Sequence, residues 1–271
     1  MPLGLDTRYF YSSGTRSRWS KIITYSYDHN GNLLSKNTGS PATTVQNTYN
    51  GLNQLVQTTV GGVSTNYAYD LNGLRSEKND TTYLYDGNDL VLEMQDGAVV
   101  GRYMYGLALN SAVIDGEDIF YLRNAHGDVA MLTDMDGAII KTYDYDAFGN
   151  EINPDPNDSN PLRYAGEYYD KETGTYYLRA RYYDPVIGRF TQEDPHWNQS
   201  NMLYGDDPLK LNNYNYSPSL VAIIQSGNLY VYAMSNPVMY VNENGGQMAA
   251  IFLILKRWAL RPFTHRTLGL K

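Results

Sequence analysis

Along residues 24 to 95 apolar and polar positions alternate with a period of two, which marks half-buried strands rather than helices. One unit recurs: an aromatic, any residue, Tyr, then Asp or Asn, a short Gly/Asn turn and a polar strand. It reads TYSYDHNGNLLSKN from Thr24, TYNGLNQLVQTT from Thr48, NYAYDLNGLRSEKN from Asn66, TYLYDGNDLVLEMQDG from Thr82 and TYDYDAFGNEI from Thr142. The marker falls at Asp28, Asn50, Asp70, Asp86 and Asp146, with an early spacing of roughly twenty residues. Tyr25 and Tyr27, or Tyr67 and Tyr69, then share one face of a strand. The residues after each marker supply positive φ and side-chain-to-backbone bonds, so each unit predicts a β-hairpin. A single hairpin is marginal in water, so stability has to come from stacking neighbours into an extended strip of sheet.

Composition agrees with an all-β chain. The 271 residues hold 27 Tyr against 6 Phe and 3 Trp, an excess suited to half-wet β surfaces. Ala, Leu, Glu and Lys are too sparse and irregular for long amphipathic helices. A net charge of −8 argues against general affinity for nucleic acid or anionic lipid, both of which need a basic face. With no Cys, disulfides and a thiol nucleophile are excluded, and the compartment stays open. The first residues, MPLGLDTRYFYSSGTRSRW, lack the apolar core of a signal peptide, and no run of about 18 apolar residues is long enough to span a membrane. If the protein is exported, to the cell wall or the extracellular space, the signal lies upstream.

Candidate chemistry is thin outside one region. Asp134-Met-Asp136-Gly137 and Asp144-Tyr-Asp146 resemble the start of a calcium loop, but Phe148 takes a ligand position and no closing Glu follows. Turn formation is the expected role, and no metal or cofactor is expected. His29, His126, His196 and His265 are scattered without ligand spacing, which predicts surface positions. No hydrolase elbow, phosphate loop or metalloprotease motif occurs.

The densest stretch is Pro161 to Pro195, PLRYAGEYYDKETGTYYLRARYYDPVIGRFTQEDP. It closely resembles the Rhs-associated core domain, whose members carry Tyr-Asp, Glu-Thr-Gly, Tyr-Tyr, Arg-x-Arg-Tyr-Tyr-Asp-Pro, Gly-Arg-Phe and Asp-Pro in this order. With the weaker Tyr-Asp units before it, the resemblance to Rhs/YD-repeat proteins covers residues 20 to 245. It implies a spiral of antiparallel hairpins that winds into a hollow shell, with the core domain plugging one end. In polymorphic and insecticidal toxins of this family the shell encloses a C-terminal toxic domain, and wall-associated relatives share the organisation.

In relatives that release their toxin the core is similar to an aspartic protease cutting its own chain. The resemblance carries that role onto Arg181, an electrostatic support, onto Asp194, and, for the second Asp, onto Asn242, reached through Asn-Pro-Val-Met-Tyr-Val. The first two match and the third does not. A carboxylate pair shares one proton between base and acid duties, which an amide cannot do. Glu243, Asp206 and Asp207 are the carboxylates that would have to complete the dyad, while Gly245 keeps its expected place. A buried ion pair near the plug is the structural alternative for Arg181 and Asp194.

The resemblance and the pattern divide the chain into an irregular segment 1–20, YD-type repeats 21–115, a core domain 116–246 and a tail 247–271. Residues 196–227 form an insertion whose Val-Ala-Ile-Ile run predicts one buried strand. The tail is apolar from Ala249 to Leu255 and basic at Lys256, Arg257, Arg261, Arg266 and Lys271. It is read as a short amphipathic C-terminal helix docked in the shell, as a membrane-surface contact, or as a remnant of a lost effector. Three functions follow: a structural end piece of a shell without an active toxin, a self-processing aspartate-type protease, and a carbohydrate-binding surface protein. The expected partners are upstream YD repeats of a longer chain or adjacent gene product, with an immunity protein or surface glycans as further possibilities.

Overall fold

The computed structural model describes residues 3–10, 21–39, 42–242, 245 and 249–250. The chain is all-β, built on a 14-stranded antiparallel meander in strict sequence order. Its strands are β1 (Leu3–Phe10), β2 (Lys21–Tyr27), β3 (Leu33–Gly39), β4 (Ala42–Tyr49), β5 (Leu55–Val60), β6 (Val63–Tyr69), β7 (Arg75–Lys78) and β8 (Thr81–Asp86). They continue as β9 (Asp89–Gln95), β10 (Ala98–Tyr105), β11 (Leu109–Ile114), β12 (Glu117–Arg123), β13 (Val129–Thr133) and β14 (Ile139–Thr142). Leu3–Phe10, expected to be irregular, pairs with β2 through Phe10↔Lys21 and Arg8↔Ile23. The meander also runs through the expected boundary at 115/116, because Asp115 and Gly116, both at positive φ, form a two-residue turn that pairs Ile114 with Glu117.

The two ends of the meander use different turn chemistry. At one end the Asx side chain of the repeat closes the loop: Asp28 Oδ1 accepts from the backbone N of Asn30 and Asn32 at 2.9 and 2.8 Å. Asn50 does the same for Leu52 and Gln54, and Asp70 for Asn72 and Leu74. At the other end Gly61-Gly62, Asp96-Gly97 and Asp115-Gly116 make two-residue turns with both residues at positive φ. Each Asx hairpin slips register next to its Tyr, pairing Tyr27 with Leu33, Tyr49 with Leu55 and Tyr69 with Arg75. Such bulges add twist on one side of every hairpin and curl the strip.

The inward face carries Tyr25, Leu33, Leu55, Tyr67, Tyr83, Tyr103, Tyr121 and Leu132, all buried. A second, four-stranded sheet fills the hollow: β15 (Tyr168–Asp170), β16 (Thr175–Leu178), β17 (Arg181–Asp184) and β18 (Arg189–Phe190). Tyr182 packs on Tyr67 and Tyr168 on Tyr83, with ring centroids 5.8 and 5.6 Å apart. Backbone bonds add to this, from Leu33 N to Thr191 O at 2.9 Å and from Val129 N to Arg163 O at 3.0 Å. Contacts to this short sheet and the residues flanking it thus come from β3 through β13, so the strip wraps around them.

Beyond β18 come a short pair, β19 (Leu209–Lys210) and β20 (Tyr216–Ser217), then a helix α1 (Leu220–Ser226), then β21 (Tyr240–Val241) paired with β22 (Ala249–Ala250). The Val-Ala-Ile-Ile run expected as a buried strand is this helix. Ser219 caps it, its hydroxyl accepting from Ala222 N, and only Ala222 of the helix is buried. The local cap overrides the β-branched composition. A helix in the tail, apart from Ala249 and Ala250, which form β22, falls outside the described residues.

Candidate functional site

Arg181 opens β17 directly after a tight turn at Arg179, whose φ is +56°. Its side chain lies over the Phe190 ring at 3.6 Å from the centroid and is buried. Nη2 donates to Asp194 Oδ2 at 2.8 Å, Nη1 to the Leu229 carbonyl at 3.0 Å, and Nε to the carbonyl of Gly245. Burial pulls the guanidinium down to about 10, and the Asp194 carboxylate opposes that loss. It therefore stays charged at neutral pH.

Asp194 is held from three sides. Its backbone N donates to Leu229 O at 2.9 Å, Oδ1 accepts from His196 N at 3.0 Å, and Oδ2 takes the Arg181 bond. Asn242, also buried, follows β21. Arg181, Asp194 and Asn242 line one small cavity of ≈ 20 Å³ together with Trp197, Gln225 and Asn228, room for about one water. Part of its wall is Ala233 and Met234, which with Ser235 make three successive non-glycine residues at φ +47°, +53° and +57°. Left-handed backbone of this kind costs about 1–2 kcal/mol per residue, so strain is stored beside the cavity.

The chemistry open to this set is limited by Asn242. Arg181 can polarise a carbonyl, as it does to Gly245 and Leu229, and Asp194 can accept a proton. Asn242 can orient a water but cannot exchange a proton with it. Asp206 and Asp207 line a different, larger cavity with His196 and Leu209 and do not line this one. Glu243 lies outside the described residues. Gly245 is fixed by sterics: its φ is +70°, and a Cβ there would press on the Leu178 carbonyl and come 2.8 Å from Arg181 N.

The other flagged residues serve the fold. Asp134 Oδ1 accepts from Asp136 N and Ala138 N at 3.0 and 2.8 Å, and Asp146 Oδ1 from Phe148 N and Asn150 N at 2.9 and 3.0 Å. Asp144 and Asp146 line a broad cavity with His126. His126, expected at the surface, is half-buried: its Nδ1 meets Asp128 at 2.6 Å and its ring sits 5.0 Å from Tyr164. Asp128 is held below the usual carboxylate range, because the His126 contacts and its other bonds outweigh the burial that would raise it. His265 lies outside the described residues.

The ionic centre of the molecule was not flagged by the sequence. Arg75 on β7 meets Asp170 on β15 at 2.5 Å, both side chains fully buried, and Lys78 reaches the other Asp170 oxygen at 3.0 Å. The Tyr83, Tyr168 and Tyr177 rings surround the guanidinium at 4.9, 4.8 and 4.5 Å. Burial would raise the Asp170 carboxyl, but Arg75 and Lys78 overcome it and hold it below its usual value. Lys36 and Asp184 form a second tie at 2.5 Å. The signal was positional: five residues past its marker, Arg75 occupies the inward place that Leu33 and Leu55 hold in the sister units.

Comparison with known proteins now bears on this arrangement. A profile of the Teneurin YD-shell family matches residues 102–223. The tRNA3(Ser)-specific nuclease WapA of Bacillus spizizenii is 36% identical over 235 residues, 81% of this chain and 9% of that protein. The chain belongs to the Rhs/YD-repeat family. Among Rhs/YD relatives, Double-stranded DNA deaminase toxin A of Burkholderia cenocepacia is 28% identical over 304 residues, covering 89% of this chain and 20% of that one. The crystal structure of TcdB2-TccC3-TEV superposes with a TM-score of 0.51 at 18% identity, over 83% of this chain and 13% of that chain, and so shares the fold. This Rhs/YD chain spans no more than a fifth of those relatives' lengths, and its own architecture is of the shell type.

Proposed function

We propose that the chain is the plug-bearing end of an Rhs/YD shell, a structural piece related to toxin encapsulation and delivery that holds its own backbone intact. The observation carrying this reading is the seating of the four-stranded sheet against the inward face of the meander, tied by Arg75–Asp170 and Lys36–Asp184. A container end needs such a seal, and the tyrosine lattice supplies it with packed rings, some of whose polar tips also find partners, as Tyr69 does with Leu55 O at 2.8 Å and Tyr121 with Asn160 Oδ1 at 2.7 Å. The outer edge of β1 has no neighbour among the described residues, and upstream YD repeats pairing there would continue the wall. Export to a wall-associated or extracellular site is part of this proposal; among the described residues no helix is long and apolar enough to cross a membrane.

A second reading, a self-processing peptidase, is favoured by one observation: Arg181, Asp194 and Asn242 meet at one cavity. Intact mass of the purified chain separates the two. The structural reading expects one species at 30.7 kDa, and cutting only after Asn242→Asp restores a carboxylate pair. Wild-type chain that is already cut near Gly245, and stays whole in Asp194→Asn, overturns it.

A further inference from the structure

The outward face of the meander changes its chemistry part-way along. From β2 to β6 one row across the strands reads Ser26, Ser35, Gln46, Thr59 and Ser64. Its hydroxyls bond to one another, Ser26 with Ser35 at 2.6 Å and Thr59 with Ser64 at 2.8 Å. That part of the wall suits water. From β10 to β12 two neighbouring rows read Arg102, Val113, Asp118 and Met104, Ser111, Phe120. Met104 and Phe120 are 38 and 37% exposed, with Leu84 and Leu122 on the same face at 44 and 47%. One exposed apolar residue means little, but apolar residues running across adjacent strands mark an interaction surface.

We propose that this face docks a second copy of the chain, sheet on sheet, about a two-fold axis running along β11. The order of residues in the two rows supports it. β10 and β12 flank β11, so an axis parallel to β11 lays β10 of one copy over β12 of the other. Arg102 then faces Asp118 of the second copy, Met104 faces Phe120, and Val113 and Ser111 each face themselves. The symmetry makes each unlike pairing twice. Opposite charges meet, and a thioether meets an aromatic ring, which is a favourable contact. Within one chain Arg102 and Asp118 stand two strands apart, about 10 Å, too far to pair with each other. A lipid surface or an extended peptide gives no reason for those two charges to stand in matched places.

The shape of the wall limits the strength of the contact. Sheet faces pack about 10 Å apart with their strands nearly aligned. A strip that curls around its plug is convex outside, so the strands next to the axis are the ones that touch. Such a contact lies at the low end of specific interfaces, and the dimer is therefore reversible. The net charge of −8 opposes it at long range. Salt at about 0.15 M screens that repulsion beyond about 8 Å while leaving the two close charge pairs.

Sedimentation velocity of the full chain, across a wide dilution series in about 0.15 M salt, tests this. The wild type should move reversibly between 30.7 kDa and twice that mass. Arg102→Asp and Asp118→Arg each set like charges face to face and should weaken association about tenfold or more. The two reversals move the net charge in opposite directions, so a loss common to both cannot come from net charge. Combining them restores opposite charges and should bring the dimer back. A wild type that is monomeric throughout, a dimer indifferent to either single reversal, or a double reversal that stays monomeric overturns the proposal. So does a dimer that survives Met104→Glu/Phe120→Glu, or wild-type chain that associates only with phosphatidylcholine vesicles.

Discussion

Replacing Glu93 by Gln should flatten the dependence of stability on pH between about 5 and 8. Glu93 points from β9 into the seam between meander and plug, and its Oε1 is buried with no hydrogen-bond partner among the described residues. Burial pushes its carboxyl from 4.5 up to about 7, against a hydrogen bond with Tyr168 and the charges of Lys78 and Arg75, while Asp170 adds to the rise. The folded chain therefore keeps a proton that the unfolded chain gives up. Below the unfolded value both states are protonated and nothing is lost. As pH climbs through the folded value the penalty becomes complete, and a gap from 4.5 to about 7 amounts to about 3 kcal/mol. Urea unfolding at pH 5, 6, 7 and 8, followed by far-ultraviolet circular dichroism, measures it. Glu93→Gln should match the wild type within about 1 kcal/mol at pH 5, as polar-for-polar exchanges do, and exceed it increasingly toward pH 8. Parallel curves for the two proteins across this range would refute the reasoning.

Other substitutions probe other ties. Asp70→Ala removes the acceptor for Asn72 N and Leu74 N and should cost about 1–2 kcal/mol, seen as a lower urea midpoint; an unchanged midpoint would mean that the loop backbone holds itself. Lys36→Met strands the buried Asp184 carboxylate and should cost about 3 kcal/mol at pH 7, with much of the loss regained in Lys36→Met/Asp184→Leu; no such recovery would dismiss the pair as a stabilising tie. Gly245→Ala forces left-handed backbone and a contact with Leu178 and Arg181, so it should cost at least about 1–2 kcal/mol and raise hydrogen exchange at Arg181, whereas a neutral result would place Gly245 elsewhere.

Much of the meander was legible because one residue choice repeats in register. Tyr and an Asx five residues before an inward Leu define the hairpin at Asp28 and Asn50 without any long-range information. Around Tyr103 the marker is missing and the strands persist on cross-strand pairing, while after Tyr121 the same Asx turn is made by Asn124, whose Oδ1 accepts from His126 N and Asp128 N, but without a Tyr before it, so both places are invisible to a search for Tyr-Asp. The core motif located Arg181 and Asp194, and the structure gathers them with Asn242, but the closing residues of that cavity, Trp197 and Gln225, come from the insertion, where local pattern gave a strand instead of α1. Arg75 and Asp170 were unreadable as a pair for a different reason. Their contact is set by how far the curled strip wraps, a property of accumulated twist over many strands rather than of either neighbourhood.

The central claim, that the meander closes on the core sheet as one unit, is tested most directly by a double-mutant cycle on Arg75 and Asp170, which sit on different sheets. Urea unfolding free energies would be compared for Arg75→Met, Asp170→Asn and the double variant. Each single change should cost about 3–5 kcal/mol because it leaves a buried charge without its partner, and the double variant should recover at least ~1 kcal/mol of their sum. Costs that add within ~0.5 kcal/mol would show that the two side chains do not meet, and the seated plug would fall with them.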